Sequence, residues 1–308
     1  MNPKHMEQDT HLQQQSTAGI LDGLKASEAF ISAVRAAINE HVLAGGRRPG
    51  LAVVLVGTDP ASSIYVRAKR RDSERAGIMA RDIDLAASTT QQELLQLIDQ
   101  LNEDPEIDGI LVQLPLPRHI DEIQVTNRIN PNKDVDGFHA FNVGKLALRQ
   151  PGLRPCTPRG IMALLSFHGV EVRARHAVVV GASNIVGRPM SLELLYTGAT
   201  VTVTHRFTKN LEKHVRNAEL LISAIGKRGI VDSNWIQPGA VVVDVGINRL
   251  PDGRITGDID FDTAARRAAW ISPVPGGVGP MTRATLMLNT AEAAGLQVPL
   301  PCKPHSTG

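Results

Sequence analysis

Three short, nearly unbroken apolar runs constrain this fold most: residues 51–56 (LAVVLV), 109–114 (GILVQL) and 176–180 (HAVVV). Such runs suit strands covered on both faces, as in parallel sheets. Helical spacings separate them. Phe30, Val34, Ile38 and Val42 recur four apart from Ser27 towards a Gly45-Gly46 stop, and Leu94, Leu95, Leu97, Ile98 and Leu101 mark a second helix. Asp59 and Pro60 offer an N-cap and a first-turn proline for a third. Alternating strands and helices predict an α/β fold with helices on both sides of a parallel sheet.

At 308 residues the chain suits two domains. Its 33 Lys and Arg against 31 Asp and Glu leave a net charge of +2, which argues against nucleic acid or a membrane surface and for small-molecule partners. Cys156 and Cys302, the only cysteines, have no metal-like spacing, and the histidines form no ligand motif. Neither a disulfide framework nor a metal is expected, and His119, His139 and His205 read as loop residues. No apolar run reaches a membrane span and no signal-peptide core precedes Thr17, so a cytoplasmic chain with a disordered tail over 1–16 is expected.

Between 131 and 158 the periodicity lapses into KDVDGF (133–138) and LRPCTP (153–158), read as a boundary and a binding loop. A second α/β unit follows, with strands at 176–180, 200–204, 220–224 and 240–245, a helix over 190–195 and a closing helix over 282–293.

The turn GASNIVG (181–187) after a strand matches either a dinucleotide-binding turn or a plain strand-to-helix turn. It departs from G-x-G-x-x-G at Ser183, and Gly187 falls one place late. The next strand ends in VTHRFTK (203–209), where an NAD site would place an acid. Arg206, with Lys209 and Ser183 nearby, suits a 2′-phosphate and so NADP; the alternative is a solvated basic loop. Tyr65 and Lys69 share a helical face, in a pocket or simply in water. Gln113 interrupts an apolar run, and an unpaired buried amide costs about 1 to 3 kcal/mol, so it requires a loop partner or a ligand. Asp134 and Asp136 do not suggest a glycosidase pair; one is expected to cap or bind. The rigid PVPGGVGPMT (273–282) suits close approach of backbone to a ligand.

YVRAK (65–69), GILVQLPLP (109–117), KDVDGF, PCTP (155–158), GASNIVGRP (181–189) and PVPGGVGPMT occur in this order, and together they resemble the bifunctional methylenetetrahydrofolate dehydrogenase/cyclohydrolase family of the bacterial FolD type. The similarity spans 20–293. It implies a three-layer α/β catalytic domain (17–155 plus 281–300), a Rossmann-like NADP-binding domain (156–280), a C-terminal helix returning to the first domain, and a homodimer. The resemblance makes Lys69 catalytic beside Tyr65 and Gln113. It lines the folate site with Val112, Leu114, Asp136, Pro275, Gly276 and Gly277, and the NADP site with Gly181, Ala182, Ser183, Arg206 and Ile247. The implied substrates are tetrahydrofolate derivatives. A shikimate-type NADP dehydrogenase is the alternative, followed by a nucleotide-dependent binding protein suggested by the basic stretch 67–75.

Overall fold

The computed structural model describes residues 18–57 and 60–302, with side chains in the second span from Val66 onward. The tail expected over 1–16 and the Asp59 cap lie outside the described residues. β1 (Gly19–Ile20) leads into α1 (Gly23–Leu43), which is capped by Asp22, not started at Ser27; the Asp22 carboxylate accepts from the Lys25 amide at 2.9 Å. Phe30, Val34 and Ile38 are buried, whereas Val42 is exposed. A repeat of four overshoots the helical turn by about 40° per step, so three steps carry Val42 off the buried stripe.

β2 (Gly50–Val56), α2 (Pro60–Ala76), β3 (Met79–Leu85), α3 (Gln91–Glu103) and β4 (Gly109–Val112) form the first unit. Its parallel strands lie in the order β3-β2-β4. β4 ends before Gln113, although the Gln113 amide still donates to Val54 O at 2.9 Å. After α4 (Glu122–Arg128), α5 (Ala140–Ala147) occupies part of the stretch read as irregular. Its cap is His139 Nδ1, which accepts from the Phe141 amide at 3.0 Å and lies outside the usual Ser, Thr, Asp and Asn start signals.

The second unit runs α6 (Cys156–Phe167), β5 (His176–Val180), α7 (Gly187–Tyr196), β6 (Thr200–Thr204), α8 (Leu211–Arg216), β7 (Leu220–Ser223) and β8 (Val241–Asp244). The hairpin β9 (Asn248–Arg249) and β10 (Ile255–Thr256), α9 (Phe261–Ala265), β11 (Trp270–Ile271) and α10 (Val278–Ala293) complete it. The larger sheet is parallel in the order β1-β11-β8-β7-β5-β6. Strand order therefore reverses at β5, and ligands of such sheets bind beyond the strand ends at that switch point. β1 comes from the start of the chain, where two residues pairing with Trp270 and Ile271 leave no periodic signal.

α10 begins at Val278, inside the Pro/Gly stretch and ahead of the expected Thr282. Pro280 is tolerated because first-turn amides need no helical carbonyl. The helix packs on α1, α2 and α6, burying Met281, Leu286, Met287 and Leu288 in the core that holds Phe30, Ile38 and Leu51. The C-terminal helix thus returns to the first unit.

Candidate functional site

The inward face of α2 carries Val66, Lys69, Asp72, Ser73 and Ala76. Two of these tie the helix to α10: Arg283 Nε donates to Asp72 Oδ2 at 2.6 Å, and Ser73 Oγ, which donates to Lys69 O at 3.0 Å, lies 3.5 Å from Met287 Sδ. This brace aims Lys69, 9% exposed, at the end of β4, where its Nζ donates to Gln113 Oε1 at 3.0 Å. Gln113 Nε2 donates in turn to Leu114 O at 2.6 Å. The costly amide is paired at both ends, once by a loop carbonyl and once by the lysine. An ammonium has three protons, so Lys69 keeps donors for a further partner. Val112 is buried and Leu114 half-buried beside this pair. Tyr65 lies on α2, but its side chain falls outside the described residues.

The two aspartates of KDVDGF divide their labour. Asp134 is buried and accepts from the Phe138 and His139 amides at 3.3 and 2.9 Å and from Asn142 Nδ2 at 2.9 Å, closing the loop. Asp136 stays half-buried, with its carboxyl pushed up by burial while the nearby Lys69 charge opposes that rise. Gly137, at φ 76°, passes so close to Arg154 that a Cβ would meet its carbonyl carbon at 2.4 Å. The Cys156 thiol donates to Val135 O at 3.1 Å, and burial together with the Asp136 charge pushes it well up, so it stays protonated.

Asn289 of α10 holds this loop from behind, a role the sequence pattern did not reveal. Its Nδ2 donates to Val135 O and Arg154 O at 2.7 and 2.9 Å, and its Oδ1 accepts from Arg159 at 2.6 Å. Arg159 also forks onto Glu292 at 2.6 and 2.7 Å. The only local signal was an amide among the apolar residues of a helix.

The Pro/Gly loop docks on the start of α1. Gly23 and Leu24 donate their amides to Gly276 O at 2.9 and 3.1 Å, and a Cβ on Gly23 would lie 1.7 Å from Gly277 O. Pro275 faces solvent, Gly276 is half-buried and Gly277 buried.

At the switch point, Gly181 adopts φ 118° with no room for a side chain, since a Cβ would sit 2.2 Å from Ala224 O. Ser183 Oγ accepts from the Val186 and Gly187 amides at 3.2 and 3.4 Å. Among the described residues no protein acceptor takes the amides of Ala182, Ser183, Asn184 or Ile185. Unpaired backbone amides in a glycine turn leading into a helix suit a pyrophosphate, so these residues fit a dinucleotide. Arg206 and Ile247 stand exposed on the loops after β6 and β8. The turn follows β5 of the larger sheet, and the Lys69–Gln113 pair lies at the end of β4 of the smaller one.

Two buried acids that the sequence reading missed fix the cofactor-side loops. Asp258 accepts from the Ile225 and Gly226 amides at 2.9 and 3.0 Å and from Asn248 Nδ2 at 2.9 Å. Asp244 accepts from the Gly246, Asp258 and Ile259 amides at 3.0, 3.0 and 2.8 Å, and burial raises its pKa to about 6. Bare glycines at 246 and 257 are the trace they leave, because a Cβ at either would meet an aspartate oxygen at 2.0 Å. Among the described residues no cluster of His, Cys, Asp and Glu could hold a metal ion, and no helix is long and apolar enough to cross a membrane.

Residues 21–136 match the sequence model of the tetrahydrofolate dehydrogenase/cyclohydrolase catalytic domain, and residues 155–298 match that of its NAD(P)-binding domain. The bifunctional methylenetetrahydrofolate dehydrogenase/cyclohydrolase FolD from Campylobacter jejuni is 45% identical with a TM-score of 0.88, over 90% of this chain and 99% of that one. The Trypanosoma brucei methylenetetrahydrofolate dehydrogenase-cyclohydrolase, solved with NADP cofactor and inhibitor, is 37% identical with a TM-score of 0.86, over 90% and 97%. A shikimate dehydrogenase from Thermus thermophilus reaches 16% and 0.55 over 82% and 95%, a likeness of fold alone.

Proposed function

We propose, starting from the fact that this chain belongs to the tetrahydrofolate dehydrogenase/cyclohydrolase family, that it oxidises 5,10-methylenetetrahydrofolate with NADP and hydrolyses the 5,10-methenyl product to 10-formyltetrahydrofolate. The observation that carries this reading is the Lys69–Gln113 hydrogen bond of 3.0 Å, close enough to Asp136 for the lysine charge to act on its carboxyl. In this reading residues 17–155 with 281–300 hold the folate, residues 156–280 hold NADP, and two chains form a cytoplasmic homodimer.

The Asp136 carboxylate accepts two hydrogen bonds from the pterin, one from its 2-amino group and one from the adjacent ring N–H, which selects this heterocycle. Tyr65 stacks on the aromatic part of the substrate. Val112, Leu114 and the loop at Pro275, Gly276 and Gly277 line the cleft. NADP, when bound, supplies the acceptor for the hydride leaving the methylene carbon. The amides of Ala182 and Ser183 beside Gly181 hold its phosphates, Arg206 takes the 2′-phosphate, and Ile247 lines the path of the dinucleotide. Folate nitrogens stabilise the cation as the hydride departs, so alignment is the main demand on the protein at this step. Water then attacks the cationic methenyl carbon and loses a proton to Lys69, which acts in this step as the neutral amine that Gln113 orients; the C–N5 bond then breaks as N5 takes a proton and the carbinol hydroxyl gives one up, leaving the 10-formyl product.

Mixing the purified protein with methylenetetrahydrofolate and either NADP or NAD, while following reduced cofactor and both folate products separately, tests the reading. NADP reduction with accelerated appearance of 10-formyltetrahydrofolate is expected. Reduction that stops at the methenyl compound removes the hydrolytic assignment, and no reduction with either cofactor removes both.

A further inference from the structure

Thr204, the last residue of β6, accepts the Gly181 amide at 3.0 Å and so joins the end of this strand to the phosphate turn. The next four residues close on themselves. Thr208 N donates to His205 O at 2.8 Å, His205 N to Thr208 Oγ1 at 2.9 Å, and Phe207 N to His205 Nδ1 at 3.2 Å. This small exposed turn holds Phe207, which is 73% exposed and fills no core. The Phe207 ring instead lies against Arg206, with the guanidinium carbon 4.6 Å from the ring centroid, and the His205 ring meets it edge-on at 5.9 Å.

We propose that Phe207 is a positioning residue for cofactor choice, its ring holding the Arg206 guanidinium ready for the ribose 2′-phosphate. This rests on the NADP reading of the site above. A guanidinium uses its flat face for stacking and its in-plane N–H groups for phosphate oxygens, so both contacts form together. Stacking also restricts an otherwise freely rotating arginine, lowering the ordering cost of binding. Arg206 has no carboxylate partner among the described residues that would compete for those donors. NAD lacks the group that the guanidinium binds, so the ring's effect falls on NADP. An adenine platform would serve both cofactors alike.

Steady-state kinetics with NADP and with NAD, at saturating methylenetetrahydrofolate, separate these roles in Phe207→Ala, Phe207→Tyr, Arg206→Ala and the double variant. Phe207→Ala should lower the NADP-over-NAD ratio of kcat/KM about two- to fivefold, the range of an exposed cation–ring contact, through KM with kcat unchanged. Phe207→Tyr, which keeps the ring face, should restore the ratio, and Phe207→Ala should add nothing once Arg206 is alanine. Equal losses for both cofactors, or an unchanged ratio in Phe207→Ala while Arg206→Ala lowers it, would overturn the proposal. If Arg206→Ala itself leaves the ratio unchanged, the placement of the 2′-phosphate fails first and the role of Phe207 falls with it.

Discussion

Lys69 and Arg206 are both cations assigned to a ligand, yet their surroundings differ throughout. Lys69 is nearly buried, paired with Gln113, and carried by a helix fastened to α10 through Asp72–Arg283 and Ser73–Met287. Arg206 stands in solvent on a four-residue turn, steadied by its neighbour's ring. Proton transfer tolerates little displacement, because catalytic geometry falls off within about an ångström. Binding a phosphate needs charge and reach, which an exposed arginine supplies. The lysine end is therefore built from side chains fixed by long-range packing, and the phosphate end from backbone conformation with adjustable side chains above it.

Substitutions at the two ends should consequently differ in kind as well as size. Lys69→Met should lower 10-formyltetrahydrofolate formation by about 10² to 10⁴-fold, the usual contribution of a positioned acid–base group, while NADP-over-NAD preference is retained. Product assays that resolve the methenyl and formyl compounds measure both.

The buried Asp244 lies beneath the cofactor loops and sharpens the contrast, since its effect appears in stability. Its folded pKa of about 6 lies above the ordinary 3.8. The folded state therefore holds the proton more tightly, and this contribution is full below pH 3.8 and is lost as pH rises through about 6. A rise of that size corresponds to about 3 kcal/mol. Urea unfolding across this window should show a wild-type stability loss of that order which is missing in Asp244→Asn; parallel profiles for the two proteins would contradict it.

Asn289→Ala removes the clamp behind Asp136: Arg154 O loses its side-chain donor, while Val135 O keeps the Cys156 thiol and Arg159 keeps Glu292. A loss of about 2 kcal/mol in denaturant unfolding is expected, with a raised folate KM and an unchanged NADP KM. Equal changes in both KM values would mean that the two ends are not separately braced. Arg206→Ala should have a smaller effect, about tenfold in kcat/KM for NADP and little for NAD, without a change in melting temperature.

The same contrast governed what the sequence revealed. Strands β2, β5 and β8 and the cofactor turn are local features, written as apolar runs and glycines whose neighbours in sequence are their neighbours in space. Gln113 was legible because a buried amide must find a partner, and the family resemblance, not the residue pattern, put Lys69 beside it. The braces were hidden: Asn289 meets Val135 and Arg154 across nearly half the chain, and β1 pairs with β11 from the opposite end. α5 escaped because a histidine caps it, and the start of α10 escaped because glycine and proline read as loop until Gly277 turns the backbone into a helix. The acid pair Asp244 and Asp258 left only glycines as its trace. Such partners become visible only once distant segments are packed together.

Hydrolysis of supplied 5,10-methenyltetrahydrofolate, with no NADP present, tests the separation of the two ends most directly. Relative to the uncatalysed background, Arg206→Ala should hydrolyse it at the parental rate and Lys69→Met should add nothing. Parental hydrolysis by Lys69→Met, or its loss in Arg206→Ala, would contradict the division of labour.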